Sequence, residues 1–169
     1  IYRVATDINH GLGYASSPLP FGDAIEEELS GIEVATGFTA IHHALTSDNQ
    51  KSMAEGYAVD GDFLEVFTFP LLQGNPKSLN DPSVIFLTES LTVRFFGDEN
   101  ALGKSIVISD SLELVVAGLL KDPPQNSHLR FDFLVSRYNT ALVPANSGSW
   151  NSLMSSYNYL RLKDGADLK

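Results

Sequence analysis

The chain has 169 residues, 43% of them hydrophobic, enough to bury on the order of two thirds of its unfolded surface in one domain or two lobes. Its 11 Lys and Arg stand against 21 Asp and Glu, and the net charge of −10 argues against nucleic acid or anionic lipid headgroups as direct partners. The absence of cysteine excludes a disulfide framework, a thiol nucleophile and thiolate metal ligands.

In chain order, Tyr2, Val4, Thr6 and Ile8 alternate with Arg3, Ala5 and Asp7, which predicts a strand followed by a loop over residues 10–17. Pro18 and Pro20 mark the start of a helix with Ala24, Ile25 and Leu29 on its apolar side and Gly31 as C-cap. Glu26, Glu27 and Glu28 read as a solvated helix face, because consecutive helical residues point about 100° apart and do not converge as catalytic carboxylates would. Residues 32–45 and 53–59 predict a hairpin around the polar turn 46–52, giving a βαββ first lobe. Residues 60–67 predict a short helix with Asp60 as N-cap and Phe63, Val66 and Phe67 on its buried side.

Asn80-Asp81-Pro82 precedes the apolar run 84–87, a buried strand, after which Thr88 caps a helix over 89–96 and Gly97 ends it. Val93, Phe95 and Phe96 are expected in the core. Residues 105–108 and 112–121 predict a second hairpin around Ser109, Asp110 and Ser111. Residues 123–128 form a loop stiffened by two prolines, and Phe131, Phe133 and Val135 alternate with Asp132 and Leu134 in a further strand. The pattern weakens over 137–156, where 139–151 predicts a mobile loop, and a last strand covers 157–162.

The motifs that would carry chemistry fail on spacing or context. From Gly97 to Ser105 the chain approaches a P-loop, but five residues, two of them acidic, separate Gly97 from Gly103-Lys104-Ser105 where four are needed. The predicted order is also helix then strand, the reverse of a P-loop. His42 and His43 are strand neighbours facing opposite sides, and His10 and His128 lack a metal-ligand spacing. Gly11-x-Gly13-x-x-Ser16 lacks its third glycine, and no Gly-x-Ser-x-Gly elbow surrounds a serine. Lys104 has no desolvated setting that would make it a nucleophile. No residue is assigned as catalytic, cofactor-binding or metal-ligating. No apolar stretch approaches the roughly 18 residues that span a bilayer, and no signal-peptide pattern precedes Ile1, so the chain reads as a piece excised from a longer protein.

A long ordered pattern remains: Asp62-Phe63-x-x-Val66-Phe67-x-Phe69-x-Leu71, Gly74-x-Pro76, Leu87-Thr88-Glu89-Ser90, Phe96-Gly97-x-Glu99, and Leu102-Gly103-Lys104. It continues through Val116-x-Gly118-x-Leu120, Pro124-x-Asn126-Ser127-His128-Leu129 and Phe131-Asp132-Phe133. This run resembles the MacB-like periplasmic core domain of FtsX-like ABC transporter permeases. Ile1-Tyr2-Arg3-Val4 resembles the domain's start after a first membrane helix, and Leu162-Lys163-x-Gly165-Ala166 the strand end before a late helix, while residues 10–56 match loosely.

The resemblance implies an α+β fold of mixed sheets and short helices in two lobes, porter-like and sabre-like. Lobe one covers about residues 1–59 with later segments returning to it, and lobe two about 60–136; the membrane helices lie outside this sequence. It further implies an extracytoplasmic domain without enzymatic activity or cofactor that transmits ATP-driven movement, with a cytoplasmic ABC ATPase, a second permease subunit and a periplasmic adaptor or lipoprotein as partners. Two other classes stay open on the residues alone: a secreted or periplasmic ligand-binding module that captures a peptide or lipid in a cleft between lobes, and a metal-dependent hydrolase whose site forms only in the fold.

Overall fold

A computed structural model describes residues 1–7, 13–48, 50–143, 145, 148–152 and 156–166. The expected first strand is split into β1 (Tyr2–Arg3) and β2 (Thr6–Asp7), and β2 turns away to pair with β3 (Gly13–Tyr14). Alternation alone carries no information on where a strand changes partner. Helix α1 (Pro20–Glu28) begins with proline in its first turn, where the missing N–H has no intrahelical acceptor to lose. Its cap is Leu29, extended and exposed, and not Gly31, whose carbonyl instead accepts from the Lys163 backbone N–H at 3.0 Å.

Strands β4 (Ile32–Ser47) and β5 (Gln50–Val59) form the expected hairpin, with pairing that continues to Ser47↔Gln50. The turn is therefore shorter than the polar run 46–52, and Asp48 takes the left-handed conformation there, with φ 49°. Helix α2 (Phe63–Phe67) has its first turn capped by Asp60, whose Oδ1 accepts from the backbone N–H groups of Asp62 and Phe63 at 3.0 and 3.1 Å. Strand β6 (Leu71–Gly74) and a 3-10 turn (Pro76–Asn80) follow; neither has a distinct signal in the sequence.

Strand β7 (Val84–Thr88) leads into α3 (Glu89–Phe96), where Thr88 Oγ1 accepts from the Leu91 N–H and Gly97 closes the helix at φ 59°. Leu91, Phe95 and Phe96 are buried, but Val93 is 61% exposed, a correction to its expected core position: it lies on the face of α3 opposite Leu91 and Phe95. Strands β8 (Ser105–Ile108) and β9 (Leu112–Leu120) flank the predicted turn, with Ser109 and Asp110 both left-handed. Strands β10 (Phe133–Ser136) and β11 (Tyr157–Leu162) complete the chain.

Six of these strands close on themselves. β4 pairs antiparallel with β5, β5 parallel with β10, β10 antiparallel with β7, β7 parallel with β9, β9 antiparallel with β8, and β8 antiparallel with β4. One apolar cluster draws residues from all six: Ile41 and Leu45, Ala54 and Ala58, Ile85 and Leu87, Ile106 and Ile108, Leu114 and Val116, Phe133 and Val135. Because side chains alternate across a strand, these positions share the inward face, and the circuit is a small barrel with Leu91, Phe95 and Phe96 of α3 packed on its core.

A second cluster lies on the outward face. It joins Val59, Phe86, Leu120 and Leu134 to Phe63, Leu64 and Val66 of α2, Leu79 of the 3-10 turn, and Phe38 and Tyr159. Every residue of β10 is consequently buried, including Leu134, which alternation alone would have turned toward solvent. The first half of β4 extends out of the barrel and pairs with β11, which pairs with β1, beneath α1. The mixed sheet with a few short helices is the α+β class expected from the sequence.

Two glycines make this packing possible. Gly56 lies directly across from Phe133, and a Cβ there would sit 2.5 Å from the Phe133 ring. Gly118 lies across from Phe86 and would meet that ring in the same way. We expect Gly56→Ala and Gly118→Ala each to cost about 1–3 kcal/mol through overpacking, read as a lower denaturation midpoint. A Cβ at Gly13 meets nothing within 4 Å, so Gly13→Ala serves as the control and should stay within about 0.5 kcal/mol.

Candidate functional site

Residues from three separate stretches meet at one end of the barrel. Thr88 and Ser90, then Asp122, Pro123 and Gln125, then Arg130, Phe131 and Asp132 line, together with Glu55, a depression of about 360 Å³. Ser90 donates to the Asp122 carboxylate through its backbone N–H at 3.1 Å and its hydroxyl at 2.5 Å. Asp132 spans two strands: its N–H donates to the Glu55 carbonyl at 2.7 Å, its carboxylate accepts from the Glu55 N–H at 3.1 Å, and its carbonyl accepts from the Thr88 N–H at 2.9 Å. Ser127 accepts from the Leu129 N–H and donates its own N–H to the Pro124 carbonyl, folding the segment that holds Asn126 and His128 into a turn. His128 reaches the Tyr159 hydroxyl at 3.5 Å. These polar groups are engaged with backbone or with one another, an arrangement that braces the barrel rim.

The other residues of the sequence pattern are dispersed. Asp62 pairs with Lys77 beside Pro76, which opens the 3-10 turn. Phe63, Phe67, Phe69 and Phe131 stack among themselves, with centroids 4.8 to 6.3 Å apart. Gly74, at φ 105°, lies against the Ala117 carbonyl, and Gly103, at φ 81°, turns the chain into β8. Lys104 pairs with Glu99 and lies 5.0 Å above the Phe96 ring, and Glu89 sits exposed in the first turn of α3. The near P-loop is thus a helix cap and a turn whose lysine is already neutralised.

His43 and Ser109 come together in a way the sequence did not announce, Nδ1 to Oγ at 2.9 Å across β4 and the β8–β9 turn. Burial, and then neighbouring His42, hold the His43 imidazole below its ordinary range. A hydrolytic triad uses Nε2 toward serine and gives Nδ1 to an orienting acid; here serine occupies Nδ1. Among the described residues no three His, Asp or Glu approach as metal ligands. His10 lies outside the described residues.

Arg137, immediately after β10, is a buried charge, with a side chain 5% exposed. Its Nη1 lies 3.0 Å from Asp60 Oδ2 and its Nη2 2.5 Å from Asp23 Oδ2 of α1, while its backbone N–H donates to the Val59 carbonyl at 2.7 Å. Asp60 also accepts from the Thr36 hydroxyl at 2.8 Å. Desolvation raises the Asp60 carboxyl above its ordinary range, against the pull of Arg137 and Thr36. Desolvation also opposes the Arg137 charge, but its hydrogen bond to the Asp23 carboxylate and the field of Asp60 outweigh it and hold the guanidinium above its ordinary value. Nothing in the sequence announces this node beyond a lone arginine at the end of an apolar strand, because Asp23, Asp60 and Arg137 are distant in the chain.

Removing the cation should strand a buried carboxylate. Arg137→Met is expected to lose about 3–5 kcal/mol, with part restored in the Asp60→Asn double variant, as a double-mutant denaturation cycle would measure. A group whose folded pKa lies above its unfolded value favours the fold below the unfolded pKa and loses that contribution as pH rises through the folded pKa. Asp60 is already raised, and the substitution should raise it further. The deficit of Arg137→Met relative to the parent chain should therefore be smallest in acid and grow as pH rises through the folded pKa of Asp60.

The family described as MacB-like periplasmic core domain matches residues 1–169. Among solved structures the fold is similar to a domain described as belonging to a permease of Porphyromonas gingivalis, with TM-score 0.80 and 28% identity over 94% of this chain and 74% of that one. It is also similar to the periplasmic region of MacB from Actinobacillus actinomycetemcomitans, with TM-score 0.70 and 18% identity over 90% and 68% of the two chains. The extracellular domain of the noncanonical ABC-type transporter YknZ from Gram-positive bacteria aligns with TM-score 0.66 and 10% identity over 97% and 82%. No curated protein matches.

Proposed function

The chain belongs to the MacB-like periplasmic core domain family, extracytoplasmic domains of ABC transporter permeases, and from that premise we propose that it carries ATP-driven movement of a parent permease to a periplasmic partner or cargo. The observation that supports this reading is the continuous strand path from β1 to the barrel. β1 pairs with β11, β11 with the first half of β4, and β4 runs on into the closed circuit. β1 and β11 are paired neighbours at one edge of the sheet, so a displacement delivered there acts on a hydrogen-bonded body and not on a loose tether.

In this reading ATP is hydrolysed on a separate cytoplasmic ATPase subunit or domain, a second permease subunit completes the transporter, and a periplasmic adaptor or lipoprotein receives the movement. In the same reading lobe one, about residues 1–59, receives β11, and lobe two, about residues 60–136, completes its barrel with the second half of β4 and with β5 of lobe one. The rim residues Ser90, Asp122 and Asp132 keep the barrel stiff and take no chemical part.

The test is mechanical. Flexible Gly-Ser segments inserted on both sides of this domain in the full permease should leave ATPase activity standing while transport falls about tenfold or more, because a flexible linker transmits little force. Transport that persists unchanged with such linkers would overturn the coupling role.

A further inference from the structure

Outside the barrel rim the molecule carries a cleft whose lining is chiefly apolar and whose edge is acidic. It has a volume of about 500 Å³ and lies between the start of α1, with Leu19, Pro20 and Asp23, and the segment after β10, with Tyr138, Thr140 and Val143. Arg137 forms part of its wall, with its charge offset by the Asp23 and Asp60 carboxylates. Asp23 is shared with an adjoining depression of about 390 Å³ lined by Glu26, Glu27 and Asp62. An apolar cavity and an acidic trough thus meet at one residue.

The charge balance names the occupant. Asp23, Glu26, Glu27 and Asp62 contribute four carboxylates, countered by Arg137 at Asp23 and Lys77 at Asp62. Glu27 is exposed on the helix surface, and the whole chain carries −10. An anionic or phosphorylated ligand would meet a repulsive rim, whereas a side chain with a positive charge beside an apolar one satisfies both halves. Tyr138, 51% exposed at the cleft, already has the Arg137 guanidinium 5.2 Å from its ring centroid and adds apolar area to the lining.

We propose that this cleft docks a segment of a partner protein in which an apolar side chain fills the cavity and adjacent lysines or arginines lie over the acidic trough of α1. The assignment goes beyond the coupling role, and its test reads binding by this chain and not transport, so either can fail without the other.

The only tryptophan, Trp150, packs edge-on against Phe21 of α1 with centroids 6.3 Å apart, which places a fluorescent reporter on the same helix. The probe is an acetylated, amidated peptide of alternating leucine and lysine, titrated against the chain, with versions carrying glycine for leucine and glutamate for lysine as comparisons. Binding should weaken about tenfold or more when leucine is lost or when Ala145→Phe fills the cavity. It should weaken about threefold with Glu27→Lys and fall with added salt. Ala145 is exposed, so the substitution need not disturb the core; should it lower the melting temperature, Thr140→Phe, also exposed on the lining, replaces it. Equal binding of the glycine peptide, or binding that survives the cavity-filling variant, overturns the cleft. Equal binding of the glutamate peptide overturns the basic partner.

Discussion

Strand β4 serves two masters, and the architecture depends on that. Its first half is the neighbour of β11, its second half pairs with β5 on one side and touches β8 on the other through Leu45↔Ile108 and Thr46↔Val107. Without that short contact with β8 the six strands would form an open sheet with β4 and β8 as edges, and the inward cluster around Phe133 and Leu45 would lose its far wall. Closure satisfies the backbone groups of the edges and leaves the chain with an interior fully screened from water. A single strand running through both parts also makes them one hydrogen-bonded body.

The two faces of the barrel wall are both covered, which explains its demand for small residues at particular places. Phe133 packs inward over Gly56 and Phe86 outward over Gly118, each glycine sitting directly across a parallel strand pair from the ring that covers it. A core close-packed on both faces has little tolerance for an added methyl group. The same economy is seen at Asn158, fully buried on β11, whose side-chain amide donates to Ser17 Oγ at 2.8 Å and the Pro18 carbonyl at 2.7 Å, and whose oxygen lies against Gly22 and Gly37. That one side chain ties the approach to α1 onto the outer sheet.

The polar residues of the sequence pattern fall into two physical groups. Ser90, Asp122, Ser127 and Asp132 terminate strands and turns around the rim, where a ladder ends and its backbone groups need other partners. Asp23, Asp60 and Arg137 instead hold α1, the start of α2 and the end of β10 in one place, at the cost of burying charge. Neither group is arranged as a nucleophile with a base. Both networks tie separate elements of the chain into one packed body.

The amino-acid sequence determined whatever is decided within a few residues: the Thr88 and Asp60 caps, the Gly97 stop, the two hairpins with their polar turns, and the apolar run of β7. Those features follow from local dihedral preferences and from hydrogen bonds to near neighbours in the chain. It also carried the ordered run of motifs from Asp62 to Phe133 whose resemblance pointed to the family that matches residues 1–169. What only the tertiary structure decided was partner choice: the parallel pairing of β5 with β10 and of β7 with β9, the division of the first strand between two sheets, the burial of Leu134 on a second face, the exposure of Val93, and the meeting of Asp23 and Asp60 with Arg137. Periodicity tells that a face is apolar but not what will cover it, and a charge announces no partner until the fold brings one within hydrogen-bonding distance.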